Sequence, residues 1–420
     1  MKKIVLVCHH FIPYTPAVGG VARVWYLADY LSKKGYEVLV LSSDGYDFGS
    51  LGFPELPSSV SVVYVPDPVK KIMQRQVSKL RSQSPAGGYR QRVALVLRRI
   101  TSVLAFPDYA VFALPAYYAE LRKIFRKEGE VVVIISAPSH SLLLLAVLFS
   151  RQRKMVKFIA DYRDGWNVRG VFSRKGFIGR WLSRKLELAV CKSVDNVLFA
   201  TNPMRVDTER LFPVLQQEAK SVTVMNGFPE RFARDVLPYS GERSPVEFKI
   251  GHFGVVNDQL DSYRNIEPIL SALALLRRQG FIFYLELYGD IRLSRVDISA
   301  YEFIRVKGSV SHEDALSIMR GMDCLLMYHM EREGASEVVT GKFFDYVSAR
   351  RPILCVSPLD MEGALMVEAG RFGKVADFED FEQICKAFLE IYSGNYVVDS
   401  VGAANFSRES QYSKILPLLN

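Results

Sequence analysis

Phe248-Lys249-Ile250-Gly251-His252-Phe253-Gly254 decides how the chain is read. It is a short apolar run closed by glycine, and a longer stretch with helical apolar spacing follows at 266–279. The chain opens in the same order, with an apolar run at 3–8, a glycine pair, and a helical pattern at 21–34 that ends at Gly35. Short β-rich runs alternating with longer helical patterns mark parallel βαβ architecture. A start repeated in mid-chain predicts two doubly wound α/β domains, one after the other.

Downstream of that stretch the pattern predicts strands at 284–289, 304–307, 324–328 and 353–356, with helices at 312–321 and 342–349. Upstream it predicts strands at 3–8, 38–42, 60–65, 131–136, 156–161 and 196–200. Pro229, Pro238, Gly241 and Pro245 interrupt regular structure in 228–247 and place the boundary there. The expected division is an amino-terminal Rossmann-like domain over 1–228 and a second one over 229–405. With 420 residues, 49% of them apolar, the chain can bury two cores and is not disordered as a whole. It contains no short repeat and no low-complexity tract.

Cys8, Cys191, Cys324, Cys355 and Cys385 are scattered without a C-x-x-C pair. They predict a reduced, cytoplasmic protein with neither a disulfide framework nor a zinc site. Only about five apolar residues separate Met1-Lys2-Lys3 from His9-His10, too few for a signal peptide, so they read as a first strand. The longest other apolar run, 142–149, is far below the roughly 20 residues of a membrane span.

The net charge of +9 is uneven. Residues 68–107 contain no acid but include Lys70, Lys71, Arg75, Lys79, Arg81, Arg90, Arg92, Arg98 and Arg99, interleaved with apolar residues. The 70–99 block reads either as an amphipathic surface for anionic membrane or as a solvated helical face. No recognised module accompanies it to suggest nucleic acid.

Doubly wound sheets bind ligands beyond the carboxyl ends of their strands, where helix amino termini favour anions. The loop from His9 to Val21 ends in Gly19-Gly20, which lets backbone approach a phosphate or sugar, although it is neither G-x-G-x-x-G nor a P-loop. In Glu337-Val338-Val339-Thr340-Gly341-Lys342-Phe343-Phe344-Asp345-Tyr346, two carboxylates flank a cation at a predicted helix start. That suits a nucleotide-diphosphate sugar: carboxylates accept from hydroxyls, and the ammonium and amides hold the pyrophosphate. A surface salt bridge with a capping residue would give the same spacing. The phrase Asp161-Tyr162-Arg163-Asp164-Gly165-Trp166 sets two carboxylates and a guanidinium at a strand end, either facing a site or forming a buried Asp–Arg pair.

Several of these features recur together in one family. The opening strand with Gly19-Gly20, the 161–166 phrase, the turn Asn226-Gly227-Phe228, the restart at 250–254 and the paired acids Glu337 and Asp345 resemble the retaining family 4 glycosyltransferases of GT-B fold. The resemblance covers nearly the whole chain and is greatest to the branch that builds bacterial surface polysaccharides. It implies two Rossmann-like domains facing each other across a cleft, with 406–420 returning to the first. It also implies transfer from a nucleotide-sugar donor to a glycan or lipid-linked acceptor with retention, without metal or cofactor, at the inner face of the cell membrane.

Carried over by position, Gly19, Gly20, Gly254, Arg264, Lys342 and Asp345 are expected on the donor, with Lys342 and Arg264 near the pyrophosphate and Asp345 at the ribose. Glu337, Asp164 and His140 are the candidate catalytic groups, and Asp161, Arg163 and Ser136 are expected on the acceptor side. Many relatives carry a second glutamate where this chain has Asp345, and a histidine near the place of Ser136. Here the nearest histidine is His140, which either points into the cleft or caps the helix that follows. A non-hydrolysing nucleotide-sugar epimerase and a catalytically silent glycan- or partner-binding subunit are the other readings.

Overall fold

In the computed structural model, residues 2–16, 18–50, 53–72, 74, 105–152, 155–168, 176–229, 247–260, 262–331, 336, 338–394, 396 and 398–420 are described. The chain forms two compact units, Met1–Val224 with Lys414–Asn420, and Met225–Ser413. Most of the 70–99 block and Glu337 lie outside the described residues.

The first unit contains a seven-stranded parallel sheet in the order β3-β2-β1-β4-β5-β6-β7. Its strands are β1 (Lys3–Val7), β2 (Glu37–Ser43), β3 (Val60–Val65), β4 (Val131–Ala137), β5 (Val156–Tyr162), β6 (Asn196–Phe199) and β7 (Ser221–Thr223). All seven residues of β4 are buried, as a central parallel strand covered on both faces requires. The order reverses between β1 and β4, which creates a switch point at their carboxyl ends.

The second unit repeats this topology. Its six-stranded sheet has the order β12-β10-β8-β13-β14-β15, formed by β8 (Phe248–Phe253), β10 (Phe283–Tyr288), β12 (Ile304–Gly308), β13 (Cys324–Tyr328), β14 (Ile353–Val356) and β15 (Gly373–Ala376). A two-stranded ribbon, β9 (Val256–Asn257) with β11 (Ile291–Arg292), extends beside it. Alternation along β13 sends Leu325 and Met327 into one core and Cys324, Leu326 and Tyr328 into the other. The second switch point lies between β8 and β13.

Two boundaries differ from the sequence expectation. The division falls after Val224 rather than after 228, because the Asn226-Gly227-Phe228 turn packs within the second unit. There Phe228 N–H donates to Phe406 O at 3.0 Å and Arg408 N–H donates to Phe228 O at 2.7 Å. Gly227 has φ +66, and a Cβ on it would lie 2.9 Å from the Phe406 carbonyl oxygen. The terminal segment is also divided: helix Arg408–Ser413 belongs to the second unit and Lys414–Asn420 to the first. All five cysteines are free thiols, four of them buried. Among the described residues no helix is long and apolar enough to cross a membrane.

Candidate functional site

The switch point of the second unit is built around one lysine. Thr340 precedes helix Gly341–Ala349, and Lys342 stands in its first turn, where amides lack intrahelical partners and the helix dipole is positive. His252, near the end of β8, is 1% exposed. Its Nδ1–H donates to the Leu326 carbonyl oxygen at 2.9 Å, so the neutral ring turns the Nε2 lone pair towards Lys342 Nζ at 3.2 Å. Burial, then the neighbouring Lys342 charge, holds the His252 pKa well below the ordinary value and keeps the ring neutral. A neutral acceptor orients the ammonium without cancelling its charge.

Glycine is required beside that lysine. Gly254 has φ +143, and a Cβ there would stand 2.5 Å from Lys342 Cε. Burial, then Arg264, lowers the Lys342 pKa to about 8. The Arg264 guanidinium lies over the Tyr263 ring at 4.9 Å, and Tyr263 stacks on His329 at 5.1 Å. Lys342, Gly254 and Arg264, inferred from separate stretches, therefore belong to one electropositive neighbourhood. No carboxylate among the described residues pairs with Lys342. Such a cation beside free helix amides can hold a diphosphate.

Asp345 lies one turn further along the same helix. Its Oδ1 accepts from His312 Nε2 at 3.3 Å, an interaction that raises the His312 pKa. His312 escaped the sequence reading because its partner is 33 positions away. Next to Glu337, the buried Ser336 hydroxyl finds no hydrogen-bond partner among the described residues.

In the first unit the predicted acceptor-side residues serve mostly to hold loops together. Asp161 is 1% exposed and receives Arg23 Nη2 at 2.6 Å, Arg23 Nε at 3.0 Å and Ser136 Oγ at 2.9 Å. Its partner is therefore Arg23 and not Arg163, and Asp161 and Ser136 are both buried. Arg163 donates instead to three carbonyl oxygens: Ala137 at 3.1 Å, Pro138 at 2.8 Å and Gly20. Burial lowers its pKa.

Gly19 and Gly20 also differ from expectation, since they lie inside the first turn of helix Val18–Lys33 rather than before it. A glycine costs less in that turn because its amides need no intrahelical partner, and the Gly20 carbonyl is tied to Arg163. His140 does not cap the next helix. It is buried, stacks on Trp166 at 5.3 Å and donates from Nε2 to the Asp164 carbonyl at 3.2 Å. The Ser141 amide is capped by Asp108 Oδ2 at 3.0 Å. Of the 161–164 phrase, Asp164 alone is exposed.

A polar cluster at the end of β1 was passed over in the sequence. His9 Nε2 lies 2.7 Å from Asp67 Oδ2, and its Nδ1 lies 3.1 Å from Ser139 Oγ and 3.3 Å from His10 Nε2. Lys70, expected within a surface block, is buried beneath them and donates to His9 O at 2.7 Å and Ser43 Oγ at 2.9 Å. Burial lowers its pKa to about 8. The available signal was position: His9, Asp67 and Ser139 all follow the carboxyl ends of parallel strands.

No protein-family model matches the chain, nor does any curated protein sequence. Solved structures do. The chain is similar to the lipopolysaccharide outer core galactosyltransferase WaaB, with 10% identity, a TM-score of 0.61, and coverage of 99% of this chain and 98% of that one. It is similar to the N-terminal domain of trehalose-6-phosphate phosphatase from Candida albicans, with 10% identity, a TM-score of 0.62, and coverage of 100% and 96%. A TarM variant from S. aureus, in complex with Fondaparinux, alpha-GlcNAc-glycerol and UDP, matches with 11% identity, a TM-score of 0.53, and coverage of 100% of both chains. At such identities the likeness establishes the fold, the α/β architecture with two parallel sheets of GT-B glycosyltransferases.

Proposed function

We propose that the chain is a retaining glycosyltransferase, which moves a sugar from a nucleotide-diphosphate donor to a glycan or lipid-linked acceptor in the making of a bacterial surface polysaccharide. One observation carries the reading. At the switch point of the second unit, Lys342 Nζ rests 3.2 Å from a buried neutral histidine and pairs with no described carboxylate, at the start of a helix. The arrangement keeps a positive charge for an anionic ligand, and the full-length likeness to structures that include a galactosyltransferase and a UDP complex makes a nucleotide diphosphate the natural occupant.

In this mechanism the bond from the anomeric carbon to the diphosphate breaks as the acceptor oxygen adds on the same face, and the acceptor proton passes to the departing phosphate oxygen. Lys342, the amides at Gly341 and Lys342, and Arg264 stabilise the negative charge that develops. Those cations serve in place of a metal. Glu337 contacts the transferred sugar, Asp345 releases His312 to take the ribose hydroxyls, and Asp164 is the acceptor-side carboxylate. The basic residues of the 70–99 block other than the buried Lys70 lie against the anionic inner face of the cell membrane.

The test is incubation with UDP-, GDP- and dTDP-sugars without metal, following binding and slow release of free diphosphate in wild type and Glu337→Ala. Selective binding of one donor, with release lost in the variant, is expected. Failure of every donor to bind at millimolar concentration would overturn the catalytic reading and leave a silent glycan-binding subunit.

A further inference from the structure

Helix Gly176–Ser193 of the first unit has two dissimilar halves. Its buried residues are Ser183, Glu187, Val190, Cys191 and Ser193, so the last three turns are anchored to the core and the first two are not. Those first turns carry Phe177 at 78% exposure, Ile178 at 78%, Trp181 at 55% and Leu182 at 40%. At 100° per residue these four fall within an arc of about 140°, opposite the arc of Ser183, Glu187 and Val190. Four large apolar side chains in one exposed stripe contribute nothing to the core, and such patches mark interaction surfaces.

The charges around the stripe identify its partner. Arg180, Arg184 and Lys185 are exposed, and Lys185 Nζ sits 5.8 Å from the Trp181 ring. From Gly176 to Leu186 there is no acid, and the first one, Glu187, is fully buried on the opposite face. A tryptophan and aliphatic residues flanked by cations match the boundary between anionic headgroups and acyl chains, where indole rings settle and basic residues meet phosphate. An acidic protein surface would satisfy the cations but not the apolar stripe.

We propose that the amino-terminal half of helix Gly176–Ser193 docks the protein on an anionic lipid surface, with Phe177, Ile178, Trp181 and Leu182 entering the interface and Arg180, Arg184 and Lys185 engaging headgroup phosphates. This goes beyond the transferase reading and stands whether or not sugar is transferred. It assigns membrane contact to a helix outside the 70–99 block.

The experiment is co-sedimentation of the full chain with phosphatidylcholine vesicles, with and without phosphatidylglycerol, at low and at high salt. Binding only to the anionic vesicles, weakened by salt, is expected, together with a blue shift of tryptophan fluorescence. Phe177→Ser with Trp181→Ser should lower binding at least tenfold, and Arg184→Glu with Lys185→Glu should lower it comparably, with the thermal unfolding midpoint unchanged. Binding equal to wild type in both double variants overturns the proposal, as does binding lost only when charges in 79–99 are reversed. If the serine variants instead convert a dimer to a monomer without altering vesicle binding, the stripe is a contact between copies and the proposal fails.

Discussion

At the carboxyl end of β5, Arg23 and Asp161 meet in two-pronged contact, each almost wholly buried. At the carboxyl end of β8, Lys342 meets a histidine that burial keeps neutral. The two sheets share a topology, strand order reversing between β1 and β4 in one and between β8 and β13 in the other, and β5 lies one strand beyond the first reversal. Charge in the first is cancelled by charge and used to join β5 to helix Val18–Lys33. Charge in the second is oriented but paired with no carboxylate among the described residues, and its cost is visible in the lowered Lys342 pKa. The comparison teaches that charge at a strand end serves structure when it has an internal partner, and is open to a ligand when no described residue cancels it.

Substitutions should separate the two places, stability answering for one and ligand affinity for the other. The largest effect is expected for Arg23→Ala, which strands the buried Asp161 carboxylate and should cost about 3–5 kcal/mol of stability. Chemical denaturation would register it, while nucleotide-diphosphate affinity stays near wild type. Lys342→Ala reverses that pattern, with affinity for the donor's nucleoside diphosphate falling by about 1.5–3 kcal/mol and no loss of stability.

Acidity sharpens the contrast. The folded protein holds the Lys342 proton with a pKa of about 8 against 10.5 for an ordinary lysine, so the unfolded chain binds that proton more strongly. Stability should therefore rise as pH climbs from about 8 to 10.5, and Lys342→Met should flatten that rise. Diphosphate affinity should run the other way, weakening above about pH 8 as the ammonium is lost. A smaller effect is expected for His252→Asn, which keeps a donor for Leu326 O but removes the acceptor facing Lys342 and should cost about 1 kcal/mol in diphosphate affinity. Smallest is Lys33→Ala, which breaks an exposed pair with Asp29 and should alter stability by at most about 0.5 kcal/mol.

What could be read from sequence follows the range of the forces involved. Strands such as β4 and β13 are continuous apolar runs whose burial is written locally, and both sheets could be anticipated from them. β7 and β15 could not: three and four residues at sheet edges carry too little pattern, and their place is set by pairing with β6 and β14. Lys342 is legible in the sequence as a cation at a predicted helix start, whereas Gly254 and Arg264 are carried over only from the family resemblance. The pairings are not legible, because 138 residues separate Arg23 from Asp161 and 90 separate His252 from Lys342. The same distance effect hid Arg23 as the partner of Asp161 and left the His9–Asp67 contact unseen.

The central claim is that Lys342 at the second switch point holds the diphosphate of a nucleotide-sugar donor. Calorimetric titration of UDP, GDP and dTDP into wild type and Lys342→Ala, at pH 7 without metal, tests it most directly. One nucleotide should bind selectively to wild type, with affinity at least tenfold weaker in the variant. Binding of equal strength in both proteins would contradict the claim.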